Sequence, residues 1–312
     1  PSGCRRRAGR GSHSGEWQRQ GFSAKVSSRI TREIRSERAA VLAVCILLSG
    51  AGAPSLGQTD RMRNFFAGGS GSKRQKGDAE GGFAINRDMQ NYRMGYPGED
   101  LDDPSLDENL RFYRNTLRCQ PDNKLIDEIH TEWVTDYARL ESKHGFIQWL
   151  FPIHEMGVND EAQILQRHEA ASMRGDGAVI ARVRKSYELM LGFYGAVLQD
   201  FDTGTLRRAE NYKERFSNLD SRRHNHLRIT RILKFLGEVG LERLKLPFLT
   251  FFAREVHVEK SLRSPMSSLR DYWIFTLRED EDLRRMLVYL KDPTGQPPLS
   301  VLLERGEQRA GE

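Results

Sequence analysis

The chain has 312 residues, 38% of them hydrophobic and 29% charged, which leaves room for one large domain or two small ones and for stretches too polar to bury a core. The formal charge is +6, but residues 1–61 hold eleven Lys/Arg against four acidic residues, a local +7, so the other 251 residues sum to −1 and carry no nucleic-acid footprint. Three scattered cysteines, Cys4, Cys45 and Cys119, exclude a disulfide framework and a cysteine zinc site.

Residues 1–61 precede the first methionine, Met62, and read as a doubtful or disordered basic leader. Within them "AAVLAVCILLSGAGA" (39–53), behind Arg35 and Arg38, has the apolar core and small-residue tail of a secretory signal, set late for cleavage. It leaves room for peripheral membrane association, while nothing resembles a transmembrane span of about 20 apolar residues. Residues 62–107 have linker composition, Gly/Ser-rich and then acidic, broken by Pro97 and Pro104. "KRQK" (73–76) reads either as a minimal nuclear-import cluster or as a solvated charge run.

From Asn109 the apolar spacing turns helical. Ile126, Ile129, Trp133, Tyr137 and Leu140 recur every three or four residues up to Gly145. "HGFIQWLFP" (144–152) follows, the densest apolar run of the chain. Val183, Tyr187, Met190, Leu191, Tyr194, Val197 and Leu198 then cover a core-facing stripe of about 120°. A further helix is expected from Asn225 through Ile229, Ile232, Leu233 and Leu236, stopped by Gly237 and Gly240. Pro247 suits the first turn of the next, with Phe248, Phe251, Phe252 and Val256. Another is expected from Ser267 or Ser268, and Leu283, Met286, Leu287 and Leu290 extend it or form one more, ending at Asp292-Pro293. The pattern predicts an all-α protein: one compact helical domain over 108–292, no sheet, a disordered N-terminal region and a polar tail over 293–312. Trp133, Trp149, Tyr187, Met190, Tyr194, Ile229, Ile232, Leu233, Phe248 and Phe252 should share its core.

Chemistry-bearing patterns are incomplete. "HEMGV" (154–158) and "HEAAS" (168–172) begin like a zinc-protease helix but lack the second histidine at i+4. His224 and His226 would stand about 200° apart on a helix, which rules out a shared metal there. "DTGTL" (202–206) has no phosphate-loop lysine, "RGD" (174–176) is a loop tripeptide, and Cys119 has no local base. No enzyme, metal or cofactor is expected. Two polar residues are more informative. Asn225 sits in line with Ile229 and Ile232, and Arg228 borders that stripe; both need bonded partners, either in a structural network or at a ligand site.

Four blocks, "HGFIQWLFP", "YELMLGFYG" (187–195), "RAENYKERFSNL" (208–219) and "HNHLRITRILKFLGEVG" (224–240), resemble the conserved domain of the opioid growth factor receptor family in order and spacing. The likeness runs from "NLRFYRN" (109–115) to "DYWIFTLRED" (271–280); "NDEAQILQRHEAASMRGDG" (159–177) departs from it. The family has a receptor branch and a receptor-like branch. Receptor members carry C-terminal repeats, which are not found before "LLERGEQRAGE" here. The resemblance implies a non-enzymatic binding protein for methionine-enkephalin that restrains cell growth, placed in the nucleus and perinuclear cytoplasm and imported with its peptide. The alternative is a helical protein–protein scaffold without direct opioid binding.

That peptide, Tyr-Gly-Gly-Phe-Met, offers two aromatic rings, an ammonium and a carboxylate. On the resemblance, Arg215, Arg228 and Arg231 are candidates for its anionic end, beside Asn211 and Asn225 of the same blocks, with Trp149 and Tyr194 facing its rings. Trp149 itself, as the centre of "FIQWLF", is expected in the core more than in a pocket.

Overall fold

Asn86 opens the first helix: its Oδ1 accepts the Asp88 N–H at 3.1 Å and caps α1 (Arg87–Arg93). The computed structural model describes residues 85–99 and 102–293. The expectations for the leader, for "KRQK" and for the tail after residue 293 lie outside the described residues. Helix α1 falls inside the stretch that reads as linker, so the folded part reaches well upstream of 108. The reason is local: Met89, Tyr92 and Tyr96 bring apolar bodies into that polar composition, and all three are buried.

After α2 (Glu108–Tyr113), the stripe from Ile126 to Leu140 proves to be two helices, α3 (Ile126–Glu132) and α4 (Tyr137–Ser142). Trp133 ends α3 and sets its indole edge-on to Phe146, centroids 5.5 Å apart. Asp136 restarts the helix by accepting the Arg139 N–H. The dense apolar run "HGFIQWLFP" becomes the short α5 (Phe146–Leu150), buried at every residue. Helices α6 (Arg167–Gly175) and α7 (Gly177–Phe193) meet at Asp176, whose carboxylate caps α7 through the Ala178 and Val179 N–H groups. "RGD" is therefore a helix junction.

The stripe of α7 does not continue to Leu198. Gly195, at φ 84°, turns the chain out of the helix, and Ala196–Leu198 (β1) pairs antiparallel with Leu206–Arg208 (β2), Ala196 opposite Arg208. This ribbon departs from the sheet-free expectation, and "DTGTL" forms its turn, with Asp200 accepting from the Thr203 N–H. Then follow α8 (Tyr212–Ser221), α9 (His224–Glu238), α10 (Lys245–His257), α11 (Met266–Asp271) and α12 (Asp280–Lys291), with 3-10 turns at Glu242–Leu244 and Trp273–Thr276. The described part is a helical domain. None of its helices is long and apolar enough to cross a membrane.

Helix α9 runs through the core, with Ile229, Ile232, Leu233, Phe235 and Leu236 buried, each contributing about 1.5–3 kcal/mol. Phe235 stacks on Tyr113 and receives the edge of Phe151. The ten residues expected to share the core are all at most 2% exposed.

His130 of α3 is buried against α7, its Nε2 2.9 Å from Ser186 Oγ, and its Nδ1 has no hydrogen-bond partner. Burial pushes its pKa down to about 4, against a smaller opposing pull from Asp127. The unfolded chain takes up this proton near the ordinary 6.5, so the folded state loses stability as pH falls from 6.5 towards 4, by roughly 3 kcal/mol in all. Urea melts across that range should show the loss, and His130→Asn should flatten it; an unchanged slope in the variant would assign the acid sensitivity elsewhere.

Candidate binding cleft

The predicted site residues divide into two groups. Arg228, buried on α9, donates Nη1 to Leu140 O at 2.8 Å and to Asn225 Oδ1 at 3.2 Å. Its Nη2 donates to Lys143 O at 2.7 Å and lies 3.3 Å from His144 Nδ1. The Asn225 amide donates in turn to Glu141 Oε2, which also accepts from Asn218. Burial raises the Glu141 pKa, but these two amides together with the nearby His224 and Arg228 outweigh it and hold the carboxyl below its usual range. Asn225 and Arg228 thus fasten the end of α4 to α9.

Trp149 is buried against Phe112 and donates its indole N–H to Gln120 O at 3.0 Å. Tyr194 is buried with its hydroxyl unpartnered, and Asn211 opens α8 without a side-chain cap bond. Arg215 lies over the Tyr137 ring and pairs with Glu214. Arg231 differs from these. Its Nε is shut off from solvent with no partner, no carboxylate among the described residues pairs with it, and burial lowers its pKa to about 10.

A cleft of roughly 530 Å³ opens elsewhere, between the α1 segment, α6 and the end of α9, and none of the seven predicted residues is in its lining. Such a volume suits a small ligand. Its lining comes from Gly95, Tyr96 and Asp102, from Arg167, His168 and Arg174 of α6, and from His154, Glu238 and Arg278. At one end Asp102 accepts both the His168 N–H and His168 Nδ1, which hold its carboxyl below the usual range. Arg167 donates there to Gly95 O at 3.1 Å. At the other end Arg174 donates to Glu238 O, Arg278 donates to Glu238 Oε1, both at 2.6 Å, and His154 Nε2 lies 3.3 Å from Glu238 Oε2. Burial raises the Glu238 pKa, but His154 and Arg278 reverse it and hold the carboxyl low.

Tyr96 takes a left-handed backbone, φ 55°, directly after Gly95 at 71°. For a tyrosine that conformation is strained, and surrounding contacts must hold it. Its hydroxyl donates to Glu155 Oε1 at 2.9 Å and its ring meets His154 edge-on. Beneath it Tyr92 is fully buried, with Arg278 4.2 Å and Lys245 5.0 Å from its ring centre. Lys245 is itself wholly buried, donating to Tyr92 Oη, Glu242 and Thr276 O, and burial lowers its pKa to about 8.

Sequence reasoning set His154 and His168 aside as failed zinc motifs, yet both line this cleft, each facing a carboxylate. Among the described residues no cluster of three His, Cys, Asp or Glu could hold a metal. His226 meets Ser268 Oγ and Leu219 O through its two ring nitrogens, and Cys119 is buried with its thiol pushed up to about 11. Neither this imidazole nor the thiol offers a reactive group at the cleft.

Residues 102–296 match the family model described as the opioid growth factor receptor conserved region. The chain belongs to this family. It is 46% identical over 206 residues to the opioid growth factor receptor of Rattus norvegicus, covering 65% of this chain and 35% of that protein. The Homo sapiens receptor is 45% identical over 204 residues, 65% of this chain and 30% of that protein. Opioid growth factor receptor-like protein 1 of Mus musculus is 39% identical over 206 residues, 66% of this chain and 44% of that protein. The match thus spans less than half of these relatives. No solved structure matches. The opioid growth factor receptor region begins at Asp102, a cleft residue, and leaves α1 outside it.

Proposed function

We propose that this domain is a non-enzymatic receptor module that binds an opioid peptide of the methionine-enkephalin type and restrains cell growth, in the nucleus and perinuclear cytoplasm. The family name motivates the ligand. The observation that carries the site is the cleft, with Asp102 on His168 near one end of α6, Arg174 near the other end and sharing Glu238 with Arg278, and Tyr96 and His154 among its lining. An ammonium suits the first end, a carboxylate the second, and aromatic side chains the rings of Tyr96 and His154. Nuclear import through "KRQK" and peripheral membrane association through residues 39–53 belong to the same proposal.

Calorimetry of methionine-enkephalin with the full chain should give saturable binding. Asp102→Asn keeps a hydrogen-bond acceptor for His168 but removes the charge, so it should weaken binding about tenfold. A folded protein that gives no binding heat at high micromolar peptide would favour the other reading, a protein–protein scaffold. That reading draws on the burial of Trp149, Tyr194 and Arg228, which makes the family blocks that contain them fold determinants.

A further inference from the structure

Two arginines close one end of the cleft, and their ordinary task is plain. Helix α9 ends at Glu238, and its last carbonyls need donors. Arg174 gives one N–H to Glu238 O, and Arg278 gives one to Gly237 O. That capping uses a small part of what they carry, since a guanidinium has five N–H donors in a fixed fork. No carboxylate among the described residues pairs with Arg174. The Glu238 carboxylate does not compete for it either, because its two oxygens already face Arg278 and His154. His154 also lies 2.6 Å from Leu165 O through Nδ1, so both of its ring nitrogens face oxygens within the fold.

Arg174 is also set in place by the backbone. Its stem lies over Gly240, where an added Cβ would stand 3.1 Å from Arg174 Cδ, and Gly240 turns the chain there at φ 78°. A side chain at that position would crowd the Arg174 stem and force it to shift. The opposite end carries the Asp102 carboxylate, which accepts from His168 and offers no second cation pair for a carboxylate ligand. The cationic surplus is therefore local to Arg174 and Arg278.

We infer that Arg174 and Arg278 form an oxyanion site that takes the free C-terminal carboxylate of the peptide ligand. This rests on the peptide-binding reading above and adds a specificity to it: the cleft distinguishes a peptide acid from its amide. A carboxylate in this position accepts the unused N–H groups of both guanidiniums, the strong charge-assisted geometry, whereas an amide brings a neutral acceptor and N–H donors that face cations.

The test uses the full chain and two probes. Methionine-enkephalin as the free acid should bind at least tenfold more tightly than its C-terminal amide. Arg174→Gln should abolish the preference while Arg174→Lys keeps part of it, with melting temperatures showing that both variants fold. Equal binding of acid and amide to the wild type would overturn the assignment and leave the peptide reading standing. If neither peptide binds, inorganic phosphate decides. At matched ionic strength it should raise the wild-type melting temperature by about 2–4 °C and leave Arg174→Gln unchanged. That outcome retains the oxyanion site while the peptide reading fails. No phosphate effect would overturn both.

Discussion

Replacing Arg228 by alanine should lower the unfolding free energy by about 3–5 kcal/mol, the range for breaking a buried charged network by removing one partner. The guanidinium is the donor for Leu140 O, Lys143 O and Asn225 Oδ1, and its plane lies 5.5 Å from the Phe146 ring centre. Without it, carbonyls at the end of α4 are left buried without donors, each costing about 1–3 kcal/mol. Asn225 loses its orienting contact, and its grip on Glu141 loosens with it. Arg228→Lys should recover only part of the loss, because one ammonium cannot reach three acceptors in a planar fork. Urea midpoints at constant m would measure this. A loss below 1 kcal/mol would mean that solvent replaces the guanidinium and that the network is incidental. The result also bears on function: impaired peptide binding by this variant would report a damaged fold, so it cannot serve as a site probe.

The helices were legible in the sequence because their apolar residues recur at helical spacing and end at recognisable stops. Trp133, Tyr187, Ile229 and Phe248 fell in the core for that reason. Breaks were harder to read. The pattern from Ile126 to Leu140 keeps its period across Trp133–Asp136, where the chain leaves the helix, because a tertiary contact with Phe146 fixes the break. Gly237 looks like a helix stop, yet α9 runs through it. Its missing side chain makes room for Tyr92 Oη, from a segment far away in the chain, and for Lys245 Nζ from the start of α10.

The cleft was not legible for the same reason. Tyr96, His154, Arg174, Glu238 and Arg278 come from five separate stretches, and no spacing rule connects them. The residues chosen from the family blocks were those that look out of place in an apolar stripe. Asn225 and Arg228 look so because they bond across a helix crossing. Polar residues inside a stripe mark networks in the core, and the surplus charge sits where helices end. Arg231 is the exception, since its Nε keeps an unused donor.

Tyr92→Ala should cost about 3–5 kcal/mol, as for other large-to-small changes at fully buried aromatic positions. The position is notable because it lies upstream of the matched family region and inside a stretch of linker composition. Its hydroxyl donates to Lys234 O at 3.1 Å and accepts from Lys245 Nζ at 2.6 Å. Its ring meets Tyr96 edge-on with centroids 6.2 Å apart. Alanine removes the ring and leaves the wholly buried Lys245 with Glu242 and Thr276 O alone. Tyr92→Phe separates the two contributions. It keeps the ring and removes the hydroxyl, so it should lose about 1–2 kcal/mol, the cost of unsatisfied partners. The alanine variant should also loosen Tyr96, which keeps Glu155 and His154 but loses the Tyr92 ring that helps hold its strained left-handed backbone. Hydrogen exchange would show this as faster exchange over 86–99 and the nearby end of α9, with the Phe146–Leu150 region unchanged. If Tyr92→Ala melts within about 1 kcal/mol of the wild type, α1 is only loosely attached. The cleft would then lack its Gly95–Tyr96 wall for much of the time, and the ligand site would have to be sought on α6 and α9 alone.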